Sequence, residues 1–267
     1  MSMEIQLVVL AAGLGRRFGG DKQVAEVGPS GEWLLDYALY DARLAGFSEA
    51  VLVVRPEMAH LAQRPFPLPV KLAFQELPLG TAHAVWSAHT EVNGPFAVIN
   101  ADDFYGRKSY FQLADFLRSE CDPRYYAIIG FPLKETLAES GPVSRAILNL
   151  DAHGDLISLE EKVGLTTFSA SFPPETLVSM NSWALDPGFL DFLSEKVPPF
   201  LRTKAEREEL YLPFLIRQAM EERSVRVNVI PAKARWMGIT HVEDLRSVRG
   251  RIRALVEEGE YPIIQPE

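Results

Sequence analysis

The sequence predicts an α/β fold in which a largely parallel sheet carries helices on both faces. Apolar, β-rich runs recur along the chain, and helical patterns separate many of them, an alternation typical of such sheets. The chain has 267 residues, and α/β folds often use roughly 200–250 residues as one domain. We therefore expect one domain over residues 1–267. The predicted strands lie at 5–10, 51–54, 70–74, 96–100, 125–131, 144–150 and 177–184.

Between these strands, apolar residues recur at the spacing of an amphipathic helix. The first such segment runs from Glu32 to Phe47, and Gly46 stands where it can end the helix. The other predicted helices cover 80–92, 107–119, 187–195, 207–221 and 242–255. Pro198 and Pro199 are expected to interrupt the chain between the third and the fourth of these.

The charge balance limits the classes of binding partner. Lysine and arginine number 27 against 36 acidic residues, which gives a net charge of −9. This balance disfavours broad binding to nucleic acid or to an anionic membrane. Arg16, Arg17 and Lys22 nevertheless concentrate in one glycine-rich loop. A basic patch on an acidic protein favours a small anionic ligand over a polymer.

Cysteine content and hydropathy limit the type of protein. The single cysteine, Cys121, excludes an intramolecular disulfide and a multi-cysteine zinc site. No segment has the length and flanks of a signal peptide, and no run reaches the roughly 18 apolar residues of a membrane span. We therefore expect a cytoplasmic protein without a nucleic-acid or membrane partner.

The opening of the chain carries the strongest functional signal. An apolar run ends at Leu10, and a glycine-rich basic loop follows up to Lys22. Glycines let a loop turn sharply and bring backbone N–H groups close to an anion. The dinucleotide fingerprint is excluded because Phe18 stands where it needs a small residue. The P-loop is excluded because Asp21 replaces its lysine and no hydroxyl residue follows Lys22.

The loop instead has the pattern A-A-G-x-G-x-R followed by a lysine, which resembles the sugar nucleotidyltransferases. These enzymes join a nucleoside triphosphate to a sugar 1-phosphate. The similarity runs from about residue 7 to about residue 245, through further segments in the family's order at 74–85, 97–104, 141–145, 160–162, 180–183 and 236–241. It implies a three-layer α/β/α Rossmann-like nucleotidyltransferase fold with a mixed, mostly parallel central sheet. It also implies the catalytic domain alone, without the C-terminal β-helix domain common in the family.

The resemblance implies a reaction that needs no protein nucleophile. A phosphate oxygen of the acceptor attacks the α-phosphorus and pyrophosphate leaves, so catalysis rests on positioning, Mg²⁺ and cationic side chains. Arg17 matches the arginine on the leaving pyrophosphate, Lys22 the lysine near the α-phosphate, and Asp102 the Mg²⁺ ligand. Asp103 is either a second metal ligand or a cap of the next helix.

Two further sets of residues match substrate-binding positions of the family. Gln75 carries a donor and an acceptor and is suited to one edge of a pyrimidine, which favours UTP or dTTP. Arg16 stands where many members have threonine and is either an extra contact or a solvated charge. The nucleotide-binding set is Ala12, Gly13, Gly15, Arg16, Gln75, Gly80 and Thr81. The sugar-phosphate set is Arg145, Glu161, Lys162 and Asn181.

One position departs from the family pattern. Many members carry a second metal-binding aspartate soon after the closing tryptophan, and here Gly238 stands in its place after Trp236. Glycine cannot coordinate a metal through a side chain. Either Asp102 suffices, or another carboxylate such as Asp103 takes the position, or the site binds nucleotide without turnover.

Three other interpretations remain open from the sequence. The segment Gly20-Asp21-Lys22 also resembles the molybdenum cofactor nucleotidyltransferases, whose acceptor is a pterin phosphate. The glycine at position 238 is compatible with a non-catalytic nucleotide-binding regulatory protein. Glycosyl transfer is less favoured because Ala101-Asp102-Asp103 lacks the usual D-x-D metal motif. Related folds form varied assemblies, so a homo-oligomer is possible.

Overall fold

The computed structural model describes residues 3–13, 22–137, 141–166, 172–203, 208–239 and 242–264. Its strands are β1 (Gln6–Leu10), β2 (Glu49–Val54), β3 (Val70–Phe74), β4 (Phe96–Asn100), β5 (Asp103–Phe104), β6 (Tyr125–Pro132), β7 (Val143–Leu150), β8 (Leu156–Leu165), β9 (Leu177–Leu185), β10 (Arg226–Pro231) and β11 (Met237–Gly238). Its α-helices are α1 (Leu34–Ala45), α2 (Thr81–Ser87), α3 (Arg107–Ser119), α4 (Gly188–Thr203), α5 (Leu212–Arg223) and α6 (Asp244–Glu257).

The central sheet is mixed and mostly parallel, as predicted. Its main path has the order β10-β6-β9-β4-β1-β2-β3. Strands β4, β1, β2 and β3 are mutually parallel neighbours, and β10 is parallel to β6. Strand β9 runs antiparallel to both β4 and β6. The β7–β8 hairpin joins the sheet through β9, and β5 forms a separate antiparallel pair with β11.

Helices cover both faces of this sheet and produce the three layers. Alternate residues of β1 enter different apolar clusters, because successive side chains of a strand point to opposite faces. Leu7 and Val9 pack in the cluster that contains residues of α1 and α3. Val8 packs in the cluster of α2, α4 and α5. None of the helices in the described ranges is long and apolar enough to cross a membrane.

The first crossover helix ends where the sequence predicted. Gly46 adopts a left-handed backbone with φ 85°, and its N–H bonds to carbonyls of the last turn of α1. At the other end, the Asp36 carboxylate accepts a 2.8 Å hydrogen bond from the Trp33 N–H. A free N–H of the first turn is thereby satisfied, which fixes the start of the helix.

The prediction that Pro198 and Pro199 separate two elements is wrong. Both prolines lie inside α4, which continues to Thr203. Proline removes a backbone donor and strains a helix. The helix nevertheless continues because Val197 is fully buried, and Phe200 and Leu201 pack on the same apolar cluster. Burial of this apolar stripe outweighs the lost hydrogen bonds.

Candidate active site

Two loops that are far apart in sequence meet at one edge of the sheet. Strands β1 and β4 are parallel neighbours, with Leu10 opposite Asn100. The Ala101 N–H donates a 3.1 Å hydrogen bond to the Leu10 carbonyl. The residues after β1, described as far as Gly13, and the aspartates after β4 therefore leave the sheet side by side. This carboxyl edge is where open α/β sheets bind ligands.

The predicted catalytic lysine and metal-binding aspartate are in direct contact there. Nζ of Lys22 forms an ion pair with Oδ2 of Asp102, and the two side chains are only 23% and 15% exposed. Nζ of Lys22 also donates to the Ile239 carbonyl at 3.3 Å. The Ile239 N–H donates in turn to the Asp102 carbonyl at 3.3 Å. Three distant segments thus converge on one charged pair.

Asp103 is a second, buried carboxylate beside this pair. It lies in β5, opposite Gly238 of β11. Burial and the neighbouring Asp102 charge raise the pKa of Asp103 to about 7, although the Asn100 hydrogen bond and the charges of Lys22 and Arg145 oppose the rise. The alternative role of Asp103 as a helix cap is wrong, because the N-cap of α3 is Gly106.

A chain of side-chain amides holds Asp103 in place. Its Oδ2 accepts a 2.9 Å hydrogen bond from Nδ2 of Asn100. Oδ1 of Asn100 accepts from Nδ2 of Asn181 at 2.8 Å, and Oδ1 of Asn181 accepts from Nε1 of Trp183 at 2.9 Å. Asn181, predicted to face the sugar, therefore joins a chain that ends at Asp103. It adopts the left-handed backbone at φ 61°, which asparagine tolerates better than most residues.

Tyr105 adds a second support that the sequence did not suggest. Its hydroxyl accepts a 3.1 Å hydrogen bond from the Asn100 N–H and donates to the Met180 carbonyl at 2.8 Å. The same hydroxyl lies 3.2 Å from Oδ2 of Asp103. The ring is fully buried. A buried tyrosine therefore fixes the end of β4 against β9, next to the aspartates.

The start of the glycine loop is held from two sides. The Gly13 carbonyl accepts hydrogen bonds from Nη1 of Arg55 at 2.9 Å and from Nε2 of Gln23 at 2.7 Å. The Ala12 carbonyl accepts from the same Arg55 nitrogen at 3.4 Å. Three other predicted residues, Gly15, Arg16 and Arg17, lie outside the described residues. Arg55 is a cation beside this loop that the motif did not indicate.

Gln75 lies at the same carboxyl edge, directly after β3, and its amide nitrogen is fully engaged. Nε2 donates to the Gly80 carbonyl at 3.1 Å and lies 3.0 Å from Nδ1 of His83. Gln75 is 4% exposed and His83 7%. Burial lowers the pKa of His83, which favours the neutral form of the ring.

Gly80 and Thr81 attach the start of α2 to the segment before α5. Gly80 has φ 95°, and a Cβ atom there would overlap the backbone of Leu210. The Leu210 carbonyl accepts from the Ala82 N–H at 2.9 Å. Oγ1 of Thr81 accepts a 2.8 Å hydrogen bond from the Leu212 N–H. In the structure, therefore, both predicted nucleotide-binding residues have a clear packing role.

The other three predicted sugar-side residues, Arg145, Glu161 and Lys162, divide between the two faces of the β7–β8 hairpin. Arg145 stands opposite Lys162, and such pairs share a face. The guanidinium of Arg145 lies 5.2 Å from the ring centre of Trp236, and Lys162 forms an ion pair with Glu160. Glu161 neighbours Lys162 in the strand and so points to the opposite face. The structure does not bring Glu161 to the Arg145 side.

The two adjacent aspartates fit a magnesium site of the sparse kind. Among the described residues no group of three or more metal-ligating side chains occurs. Mg²⁺ is commonly held by one or two carboxylates together with water and substrate phosphates. Oδ1 of Asp103 receives no hydrogen bond from the described part of the chain. A Cβ at Gly238 would stand 2.5 Å from that oxygen, so Asp103 occupies the space beside the glycine.

A protein-family model matches the part of the chain that contains Lys22 and the two aspartates. Residues 7–126 match the family model of the MobA-like NTP transferase domain. The match covers less than half of the chain and supports a nucleotidyltransferase domain in this part of it. The matched residues include the glycine loop, Gln75 and both aspartates. The resemblance to nucleotidyltransferases that the sequence motifs indicated is thereby confirmed.

A solved structure supports the same fold over nearly the whole chain. It is a Bacillus anthracis protein, provisionally named a glucose-1-phosphate thymidylyltransferase and determined in complex with sucrose. The TM-score is 0.67 at 15% sequence identity, and the match covers 93% of this chain and 95% of the other. At this identity the likeness shows the fold of the nucleotidyltransferase. No curated protein matched the sequence.

Proposed function

We propose that this nucleotidyltransferase transfers a nucleotidyl group from UTP or dTTP to a sugar 1-phosphate and releases pyrophosphate. The observation that carries the proposal is the contact between Lys22 and Asp102 where β1 and β4 end. Lys22 supplies positive charge for a reaction between two anions, and the two carboxylates would add to it by holding Mg²⁺. The order of the motifs from residue 7 to about residue 245 supports the sugar acceptor.

The chemistry follows from these charges. An oxygen of the acceptor phosphate forms a bond to the α-phosphorus, and the bond from the α-phosphorus to the bridging oxygen of pyrophosphate breaks. Lys22 neutralises Asp102 in the structure, and its ammonium would stabilise the α-phosphate of a bound nucleotide. Arg17 would stabilise the leaving pyrophosphate. Such preorganised charges are typically the largest contribution to catalysis.

Asp102 and Asp103 would hold Mg²⁺, which neutralises phosphate charge when it is bound. Asp103 would supply the carboxylate that Gly238 lacks, because it lies directly across the β5–β11 pair. Asn181 would help to orient this carboxylate through its hydrogen bond to Asn100, instead of binding the sugar directly. This interpretation accounts for the departure at Gly238 without loss of activity.

The acceptor would bind on the face of the β7–β8 hairpin that carries Arg145 and Lys162. The charge of Arg145 acts on Asp103, so this face borders the aspartates. Lys162 is 39% exposed and is paired with Glu160. A sugar phosphate carries more negative charge than a carboxylate and has three acceptor oxygens, so it would displace the exposed Glu160 carboxylate from the lysine.

The test is pyrophosphate release from each of five nucleoside triphosphates with Mg²⁺ and a panel of sugar 1-phosphates. We expect release only when both substrates are present, with UTP or dTTP as the preferred donor. Asp102→Asn is the matched inactive variant, since it keeps the shape of the side chain and removes its charge. Release that is equal without an acceptor would contradict nucleotidyl transfer to a sugar.

A second candidate function is favoured by the family match itself. The matching model is described as MobA-like, and the sequence resemblance to molybdenum cofactor nucleotidyltransferases implies a pterin phosphate as acceptor. The same assay with a pterin phosphate in place of the sugar decides between the two acceptors. Tight triphosphate binding without release for either acceptor would support the non-catalytic alternative.

A further inference from the structure

The basic side of α6 is not used by the proposed reaction. The helix carries four arginines and two acidic residues, in a chain whose net charge is −9. Its apolar stripe is buried through Val248 and Ile252. Arg249 and Arg253 stand four positions apart, so their side chains lie on the same face of the helix. Two like charges at this spacing repel each other, and an anion between them would relieve the repulsion.

These two arginines line a cavity together with the turn between residues 26 and 33. The cavity has a volume of about 280 Å³, and its other lining residues are Glu26, Val27, Gly28, Pro29 and Gly31. This volume is close to the lower end for ligand pockets, roughly 300 Å³, and suits a small ligand. Lys22 and Asp102 do not line this cavity, so it is separate from the candidate active site.

The turn forms a fixed wall of the cavity. Glu26 pairs with Trp33 in an antiparallel bridge, and the Val27 N–H donates to the Glu32 carbonyl at 2.8 Å. Nε of Arg249 donates to the Glu26 carbonyl at 2.9 Å. This bond holds the guanidinium in place but uses only one of its three nitrogens. The two terminal nitrogens have no partner among the described residues.

Opposite charges line this cavity without pairing. No nitrogen of Arg249 or Arg253 lies within 4 Å of the Glu26 carboxylate, although all three residues border the same small space. The Glu26 carboxylate lies beside Gly31, since a Cβ atom added to that glycine would stand 3.6 Å from Cδ of Glu26. A ligand with an acidic group at one end and a hydrogen-bond donor at the other would satisfy both sides.

We propose that this cavity is a binding site for a small phosphate monoester that also carries a hydroxyl group. The phosphate would accept hydrogen bonds from Arg249 and Arg253, because guanidinium groups match the spacing of phosphate oxygens. A phosphate has three acceptor oxygens and more charge than a carboxylate, which suits two arginines. The hydroxyl would donate to the Glu26 carboxylate. Phosphorylated sugars combine these groups.

The test is equilibrium binding of glucose 6-phosphate, measured by calorimetry without nucleotide or Mg²⁺. This probe has both a phosphate monoester and hydroxyl groups. We expect the unaltered protein to bind it at least about tenfold more tightly than inorganic phosphate or glucose, because each of these lacks one of the two groups. Equal binding of glucose 6-phosphate and inorganic phosphate would overturn the proposal.

Two arginine variants assign the binding to the cavity. Arg253→Gln should weaken the binding of glucose 6-phosphate about tenfold, because it removes one charged donor. The Arg253 side chain makes no hydrogen bond or ion pair in the described part of the chain, so the fold should tolerate the change. Arg251→Gln is the matched control, since Arg251 is exposed on the same helix but does not line the cavity. Equal weakening in both variants would overturn the site.

Glu26→Ala tests the other end of the ligand. Removal of the carboxylate removes a repulsion, so inorganic phosphate should bind more tightly to this variant than to the unaltered protein. The advantage of glucose 6-phosphate over inorganic phosphate should shrink at the same time, because its hydroxyl loses an acceptor. An unchanged advantage would overturn the role of Glu26.

A last variant separates this cavity from the acceptor site of the proposed function. Lys162→Ala should leave the binding of glucose 6-phosphate unchanged. If this variant loses the binding while Arg253→Gln keeps it, the probe binds at the candidate active site and the proposal is overturned. Binding that depends on Arg253, together with no pyrophosphate release for any acceptor, would support the cavity and contradict nucleotidyl transfer alone.

Discussion

At the scale of single residues, the site depends on charged groups that are shielded from water. Lys22 and Asp102 are paired and only partly exposed, and Asp103 is buried beside them. Charges act more strongly in such surroundings than at a solvated surface. The catalytic importance of a side chain here is therefore expected to exceed its contribution to stability.

Lys22→Ala tests this expectation. We expect kcat to fall about 100-fold or more, because removal of one preorganised charge from a reaction centre typically costs that much. Lys71→Ala is the matched control, since Lys71 forms a comparable ion pair with Glu49 at the far end of β3. Steady-state pyrophosphate release measures both variants. A Lys22→Ala enzyme with near-native kcat would refute the role of the lysine.

Gly238 is predicted to be required by packing as much as by chemistry. A Cβ there would overlap the Trp236 ring and approach Oδ1 of Asp103. We expect Gly238→Ala to lower the free energy of unfolding by about 2 kcal/mol, as overpacking does. Gly238→Asp should lower it further, because its carboxylate would adjoin Asp103. Urea denaturation measures both.

The control for Gly238 is Gly250→Ala in α6, where a Cβ meets nothing within 4 Å. Alanine should stabilise that exposed helix by roughly 0.5–1 kcal/mol. If Gly238→Ala is as stable as the wild-type protein, crowding by Trp236 and Asp103 does not explain why this chain has glycine where the family has an aspartate.

At the scale of elements, hydrogen bonds join the start of α2, where the predicted nucleotide-binding residues Gly80 and Thr81 lie, to the segment before α5. Gly80 has a positive φ and lies against the Leu210 backbone. A larger residue there would therefore suffer both backbone strain and a steric clash. We expect Gly80→Ala to destabilise the protein by about 3 kcal/mol. Gly154→Ala isolates the backbone penalty, because Gly154 has φ 87° with open space around it, and should cost only about 1 kcal/mol.

Thermal and urea unfolding of the two glycine variants give the comparison. Equal losses would show that the contact with Leu210 does not matter. A larger loss for Gly80→Ala would show that this glycine is needed to seat α2, whatever its part in nucleotide binding.

Regular elements with a buried apolar pattern could be predicted from the sequence. Strand β4 and helix α3 begin and end at the expected residues. Four strands were missed, the two-residue strands β5 and β11 and the longer strands β8 and β10. The two longer ones were missed for a physical reason. Strand β8 is a mostly exposed hairpin arm with little apolar alternation, and β10 is a six-residue strand that ends in Pro231. Their formation depends on partners far along the chain.

The site could be predicted less completely, because motifs show which residues matter but not what they contact. Lys22 and Asp102 were expected at one site and are in contact. Asn100, Tyr105 and His83 were missed, since a lone polar residue at a strand end or on a helix carries no pattern. An asparagine at the end of an apolar strand, two residues before a pair of aspartates, was the one available signal.

At the scale of the whole molecule, a buried carboxylate ties the C-terminal segment to the helical layer. Asp41 of α1 accepts hydrogen bonds from the Tyr261 hydroxyl at 2.5 Å and from Nε of Arg107 at 3.0 Å. Burial nevertheless raises the pKa of Asp41 from 3.8 to about 6. The folded state therefore binds this proton more tightly than the unfolded state does.

Stability should consequently depend on pH through Asp41. The protonated Asp41 side chain adds to the free energy of unfolding. This stabilisation is fully present below about pH 4 and is lost as pH rises through about 6. The free energy of unfolding should change by about 3 kcal/mol over this pH range. Relative to Asp41→Asn, the wild-type protein should lose about that much between pH 4 and pH 8, measured by urea unfolding. A constant difference between the two proteins would contradict this assignment.

The central claim is that the chain transfers a nucleotidyl group to a sugar 1-phosphate, and the fate of the α-phosphate tests it most directly. The protein would be incubated with Mg²⁺, UTP labelled at the α-phosphorus and a sugar 1-phosphate, with Asp102→Asn in parallel. We predict that the label enters a sugar nucleotide while unlabelled pyrophosphate is released, and that the variant forms almost none. Label that remains in UTP, or appears only as UMP, across all sugar phosphates tried would contradict the claim.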